Sequence, residues 1–373
     1  MAKVAEVIQL MGEFAPTSLA EDWDNVGLQV GDQNTEVKNV LLALDLREGL
    51  VQEAIAKDCN LIITHHPLIF KGIKTVTESS YTGRLIRDLI KNEIAVFSAH
   101  TNLDISSNGL NDFLIKKLPV KNIEVLSSTK SKNYYKLVTF IPESELKTVK
   151  NALYEAGAGK YNNYSHSGFF QAGKGNFKPL AESEPYMGIK NKINEVAEVR
   201  FETIVASNKL AQVKKALLKN HPYEEPAWDL FELKNLSIIE GLGRIAVLTE
   251  EYKFSELLPL IKESFQLPVL KYSGQLEQKI KKIALCSGSG ADFIQTAAYQ
   301  GADLYLTGDV KFHQAQLAEE LNLNLIDFGH YDSEKHVADL LARELSRRAT
   351  RSSFASVKFY KSELNTNPWS YQV

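Results

Sequence analysis

The chain has 373 residues, long for one hydrophobic core and sufficient for two. With 44% hydrophobic and 24% charged residues it has an ordinary globular balance, which excludes a disordered chain. A formal net charge of -3 gives no global attraction for nucleic acid or anionic membrane, and no apolar run approaches the ~20 residues of a bilayer span.

The first residues, MAKVAEVIQLMGEFAP, are interrupted by Glu6 and Glu13 and predict an amphipathic helix rather than a signal peptide. Cys59 and Cys286 sit in apolar, strand-like contexts; two cysteines do not make a disulfide scaffold or a Cys-rich zinc site, so both are expected as buried free thiols. The expected setting is the cytoplasm.

From residue 39 strands and helices alternate. NVLLALDL, NLIITHHP and EIAVFSAH are β-rich runs, each followed by a helical pattern: EGLVQEAIAKDC, GRLIRDLIKN and GLNDFLIKKL. Near-continuous apolar strands separated by amphipathic helices predict a parallel sheet covered on both faces. The same order returns in the last third, with KKIALCSG, ADLYLTGD and NLIDFGH as strands and SEKHVADLLARELSRR as a long closing helix. The two stretches have the form of a diverged repeat. In each, the second strand ends in a polar doublet, His65-His66 or Gly308-Asp309. In each, the third is followed by a His and, four residues on, a carboxylate: His100 with Asp104, His330 with Glu334.

Between the halves, KLVTFIP, SELKTVKNALYEAG, YSHSGFFQAG, EVRFETIVA, LAQVKKALLKN and WDLFEL give two strand–helix units with extra strands. The predicted fold class is therefore α/β: two similar βαβ-type halves (1–129 and 239–373) form a discontinuous main domain, with an inserted α+β ferredoxin-like domain (130–238). Within the insert, GKGNFKPLAESEPYMGIKNKIN is polar and turn-rich, a long hairpin or loop.

Ligands of parallel α/β sheets gather at the carboxyl ends of strands, and His65, His66, His100 and His330 all fall there. Adjacent His65 and His66 cannot both point to one face of a regular strand, and Pro67 holds His66 extended, so the doublet splays and suits two neighbouring ions. Asp104, in the loop after its strand, and Glu334, in the first turn of the last helix with Asp332 or Ser333 as N-cap, complete the donor set. The predicted ligands are His65, His66, Asp104, His330 and Glu334, holding two divalent ions per subunit. Three imidazoles and two carboxylates suit Zn²⁺ first, or Mn²⁺, Fe²⁺ or Co²⁺, over Ca²⁺ and Mg²⁺. His100 stays open between ligation, support of a ligand, substrate contact and proton transfer. Asp309 and His313 are substrate-contact candidates, or Asp309 a helix cap. CSGSGADF is either a phosphate cradle or a plain turn. His336, on another helix face, is expected in solvent, and His166 and His221 carry no cluster.

The motifs WDNVGLQVG, ITHHPLIF, SAHTNLD, TGDVKFH and FGHYDSE, in this order, resemble those of the GTP cyclohydrolase 1 type 2 homologue (Nif-three-like) family, and they span both ends of the chain. The long bacterial form of that family carries a central insert similar to CutA and PII domains. The resemblance implies a dinuclear centre on the five ligands above, a toroidal homohexamer and GTP ring opening. The predicted function is a metal-dependent hydrolase of a nucleotide or other small anionic substrate. The alternative is a non-enzymatic metal-dependent scaffold or regulator, with a nucleic-acid-binding ring behind both. No individual catalytic residue and no organic cofactor is assigned.

Overall fold

The computed structural model describes residues 2–161, 164–236, 238–350, 354 and 357–372. It divides into two compact units, Met1–Lys130 with Glu240–Val373, and Ser131–Ile239. Among the described residues no helix is long and apolar enough to cross a membrane.

The first unit contains two sheets. One has the order Gly27–Val30, Ala95–Ser98, Leu61–Thr64, Asn39–Ala43, Lys358–Lys361, with the last four strands parallel and Gly27–Val30 antiparallel at the edge. The other has the order Lys271–Ser273, Asn324–Asp327, Leu304–Thr307, Lys279–Leu285, Ile238–Lys253, Val120–Lys132. Its central three strands are parallel, and Lys271–Ser273 and Ile238–Lys253 run antiparallel to their neighbours. The repeat is therefore real at the level of topology: each half sets an antiparallel strand beside its third parallel strand. The all-parallel expectation is corrected by these added strands. Four-residue and three-residue edge strands such as GLQV and KYS are too short to carry a readable period.

Strand parity explains the apolar runs. Val40 and Leu42, Leu61 and Ile63, Ala95 and Phe97 pack into one cluster with Ile283 and Leu285, Leu304 and Leu306, and Ile326 of the other sheet. The alternate residues Leu41, Ala43, Ile62 and Val96 face Leu50, Ala54, Leu85 and Leu89 of the helices Glu48–Ala56 and Tyr81–Lys91. A strand buried on both faces has no polar alternation to show. Both inner faces thus share one core, and this core fixes where the strand ends lie.

The second unit runs strand, helix, strand, strand, helix, strand: Tyr134–Pro142, Leu146–Glu155, Gly168–Phe177, Asn194–Ala206, Leu210–Asn220, Trp228–Glu232. Its sheet order is Gly168–Phe177, Asn194–Ala206, Tyr134–Pro142, Trp228–Glu232, antiparallel throughout. Residues 178–193 close a long hairpin, with Phe177 paired to Asn194.

Three local expectations are corrected. Asp104 lies in a one-turn helix, Thr101–Ile105, rather than a loop. Glu334 ends a separate one-turn helix, His330–Glu334, capped by Gly329 at φ +82°; the closing helix is Val337–Ala349. Neither Asp332 nor Ser333 is the cap: Asp332 pairs with Lys335 at 2.7 Å and the Ser333 hydroxyl donates to the His330 carbonyl at 2.6 Å. His336 is buried beside Phe265, not solvated, and burial with nearby Lys117 and Lys335 pushes its pKa down to about 4. The break between the two helices turns His336 inward.

Candidate metal centre

The two one-turn helices follow corresponding strands and give the site its form. His100 precedes Thr101–Ile105 and His330 opens His330–Glu334, so in each case a His and a carboxylate four residues on stack on one helix face. The doublet continues the strand Leu61–Thr64: the His65 and His66 amides still donate to the carbonyls of Ala43 and Leu44, at 3.2 and 3.0 Å. The ladder does not stop at Thr64, yet the two rings lie 5.3 Å apart and converge.

Four imidazoles are anchored in the same way. His65 Nδ1 donates to the Ala99 carbonyl at 2.7 Å, His66 Nδ1 to Asp45 at 2.7 Å, His100 Nδ1 to Asp24 at 2.9 Å and His330 Nδ1 to Asp309 at 2.7 Å. Each anchor fixes the ring and leaves Nε2 to face inward, the arrangement that outer partners give to metal-binding histidines. Two donor clusters result, His65–His66–His100 and His66–His330–Glu334, each with its ligand atoms within 4.8 Å of one another and sharing His66. Glu334 lies between them. Its Oε2 is 2.8 Å from His66 Nε2 and 3.1 Å from His330 Nε2, and its Oε1 is 3.7 Å from His65 Nε2.

Asp104 lies 3.7 Å from His65 Nε2 and accepts from the Ser287 hydroxyl at 3.3 Å, outside both tight clusters. Asp309 supports His330 from a left-handed conformation, φ +54°, which aspartate tolerates. His313 is exposed and bonds Gln316. His166 is exposed, and His221 bonds the Phe140 carbonyl. None of these three joins the clusters.

The sequence assigns no individual role to Asp24 or Asp45 and leaves CSGSG, with Ser287 and Gly288, open between a phosphate cradle and a turn. Asp24 also accepts from the Thr101 amide and hydroxyl; burial works against its charge, but these bonds and the one from His100 hold its pKa down at about 2. CSGSG serves the carboxylates. Asn111 accepts from the Ser287 amide and donates to the Asp104 carbonyl, and the Gly288 amide donates to Ser333. A Cβ on Gly288, at φ +62°, would lie 2.3 Å from Glu334 Oε1. Only a residue without a side chain leaves Glu334 its place.

Electrostatics favour a cation here. Burial works to lower the histidine pKa values, but the carboxylates outweigh it and raise His66 to about 10 and His330 to about 9. Burial pushes Asp104 up, and hydrogen bonds from His330 and His66, with the His65 ring nearby, hold Glu334 well below the usual range despite its burial. His65 Nε2 is fully buried with no hydrogen-bond partner. A buried ring nitrogen without a partner costs ~1–3 kcal/mol, and a metal ion would satisfy it. The donor set fits a divalent metal.

This arrangement accompanies a clear kinship. The family model described as Duf34/NIF3 (NGG1p interacting factor 3) matches residues 2–368. The chain belongs to the Duf34/NIF3 family. It is similar to the "GTP cyclohydrolase 1 type 2 homolog" of Bacillus subtilis, 37% identical over 98% of each chain, and to that of Staphylococcus epidermidis, 37% identical over 99% of this chain and 100% of the other. A Bacillus cereus protein related to NIF3 has a similar crystal structure, with TM-score 0.87, 36% identity and coverage of 100% of this chain and 99% of that one. Thermus thermophilus TTHA1606, at 16% identity and TM-score 0.56 over 98% and 99% of the chains, shares the fold alone.

Two outcomes follow for this family member. Gly288→Ala should destabilise the fold by about 1–2 kcal/mol through the left-handed backbone. By displacing Glu334 it should also weaken the binding of an added divalent metal about tenfold, as read by denaturant unfolding and by competition with a chelator. Metal uptake should release protons. The carboxylates raise the pKa values of His66 and His330, so metal must displace protons from these rings and affinity should climb with pH. Calorimetry in buffers of different ionisation enthalpy measures the number released.

Proposed function

We propose that this protein is a hydrolase dependent on two divalent transition-metal ions, acting on a nucleotide or another small anionic substrate. The observation that carries this reading is the pair of donor clusters sharing His66, with the buried His65 Nε2 left without a partner. His65, His66, Asp104, His330 and Glu334 would be the ligands, Asp104 from beside His65 and outside the two clusters, and His100 is a further imidazole within the His65–His66 cluster. Glu334 turns one oxygen toward His65 and the other toward His66 and His330, so it is the donor best placed to serve both ions. The nitrogen and oxygen donors suit Zn²⁺, Mn²⁺, Fe²⁺ or Co²⁺.

Ions bound here would supply Lewis acidity toward an anionic oxygen and acidify water toward neutral pH. The protein's part is orientation: Ala99, Asp45, Asp24 and Asp309 each hold one imidazole with its Nε2 inward. Ions held by only two ligand carboxylates would attract an anionic oxygen at open coordination positions, while Asp24, Asp45 and Asp309 lie behind the imidazoles. The relatives' name makes GTP the first substrate to test.

Turnover of GTP, other nucleotides and phosphoesters should appear with added Zn²⁺ or Mn²⁺ and vanish with a chelator. His65→Ala and Glu334→Ala should lower metal content and abolish turnover. Asp104→Asn, which keeps size and removes charge, should slow turnover at least about tenfold. A metal-replete protein inert toward the whole panel from about pH 6 to about pH 9 would sink the hydrolase reading.

A further inference from the structure

Against the histidine cluster lies a cavity of about 650 Å³, with His66 and His330 on one wall. This volume suits a nucleotide-sized ligand. Another wall is formed by the C-terminal segment, where Pro368, Trp369 and Tyr371 line the cavity. We propose that this cavity is the substrate cleft of the metal centre, taking a planar heterocycle that carries a phosphate, with the ring against Trp369 and the phosphate toward Arg47. The proposal rests on the metal-centre reading above and adds to it the residues that recognise the ligand.

Charge pairing singles out Arg47. Four aspartates line the cavity, and each already has a partner: Asp45 holds His66 and accepts from Thr366, Asp309 holds His330, Asp327 pairs with Lys271 and Asp332 with Lys335. The Lys271 charge is thereby used. Arg47, exposed and also lining the cavity, is in none of the ion pairs or side-chain hydrogen bonds of the described residues. A guanidinium without an ion-pair partner beside the histidine cluster is a site for an anionic oxygen, and its fork suits phosphate.

The indole is presented rather than packed. Trp369 is 74% exposed, yet its backbone is held. The Ser362 hydroxyl donates to Glu53 at 2.6 Å and the Thr366 hydroxyl to Asp45 at 2.5 Å, while the Asn365 and Asn367 side chains accept from the amides two residues on. Side-chain turns of this kind order a segment without burying it. A fixed, solvent-facing aromatic wall beside a cation binds a heterocycle by stacking.

The test uses the full zinc-loaded chain and equilibrium dialysis with AMP, GMP, guanosine and inorganic phosphate. Trp369→Ala should weaken both nucleotides roughly tenfold, weaken guanosine, and leave inorganic phosphate unchanged. Arg47→Met should weaken AMP, GMP and inorganic phosphate and spare guanosine, with zinc content the same in all variants. Wild type that binds neither nucleotide, or nucleotide binding indifferent to both substitutions, would overturn the proposal. So would a Trp369→Ala loss equal for phosphate and nucleotide. Binding with this pattern but without turnover upholds the cleft and removes the hydrolase reading; turnover with binding indifferent to Trp369 and Arg47 does the reverse.

Discussion

The contact on which the site depends joins residues 268 apart: Glu334 Oε2 against His66 Nε2 at 2.8 Å. A buried carboxylate is expensive unless cations and donors surround it, and here the imidazoles of both halves do so. The cost of isolating Glu334 ties the strand ends of one sheet to those of the other. The shared apolar core, with Leu42 and Ile63 on one side and Leu285 and Leu306 on the other, brings those ends to the same level. Packing places the groups, and their charges then specify a single arrangement.

The repeat gives each half the same tool and a different use of it. His100 and His330 both begin or precede a one-turn helix, and both are held through Nδ1 by an aspartate from another segment, Asp24 or Asp309. The carboxylates four residues on diverge. Glu334 has the longer side chain and reaches His66 and His330, whereas the shorter Asp104 stays near His65 and Ser287. One added methylene separates a central donor from a peripheral one.

Much of this was legible in the sequence. The strands around Leu61, Phe97 and Leu306 could be read from continuous apolar runs, and His65, His66, His330 and Glu334 from their places after strands. The supporting residues were not legible, because Asp24 and Asp45 meet the histidines, and Gly288 makes room for Glu334, only through tertiary contacts from distant segments. His336 misled for a related reason: periodicity carried through from Glu334 takes no account of the break between the two helices. The edge strands and the C-terminal strand Lys358–Lys361 are too short to announce themselves.

The measurement that bears most directly on the centre is anomalous X-ray diffraction at the zinc edge from crystals of the zinc-loaded protein. Two ions in the paired clusters should give two peaks about 3.5–4 Å apart, one on the His65 side and one on the His330 side, with Glu334 between them. A single peak, or zinc away from His66 and Glu334, would contradict the two-ion centre.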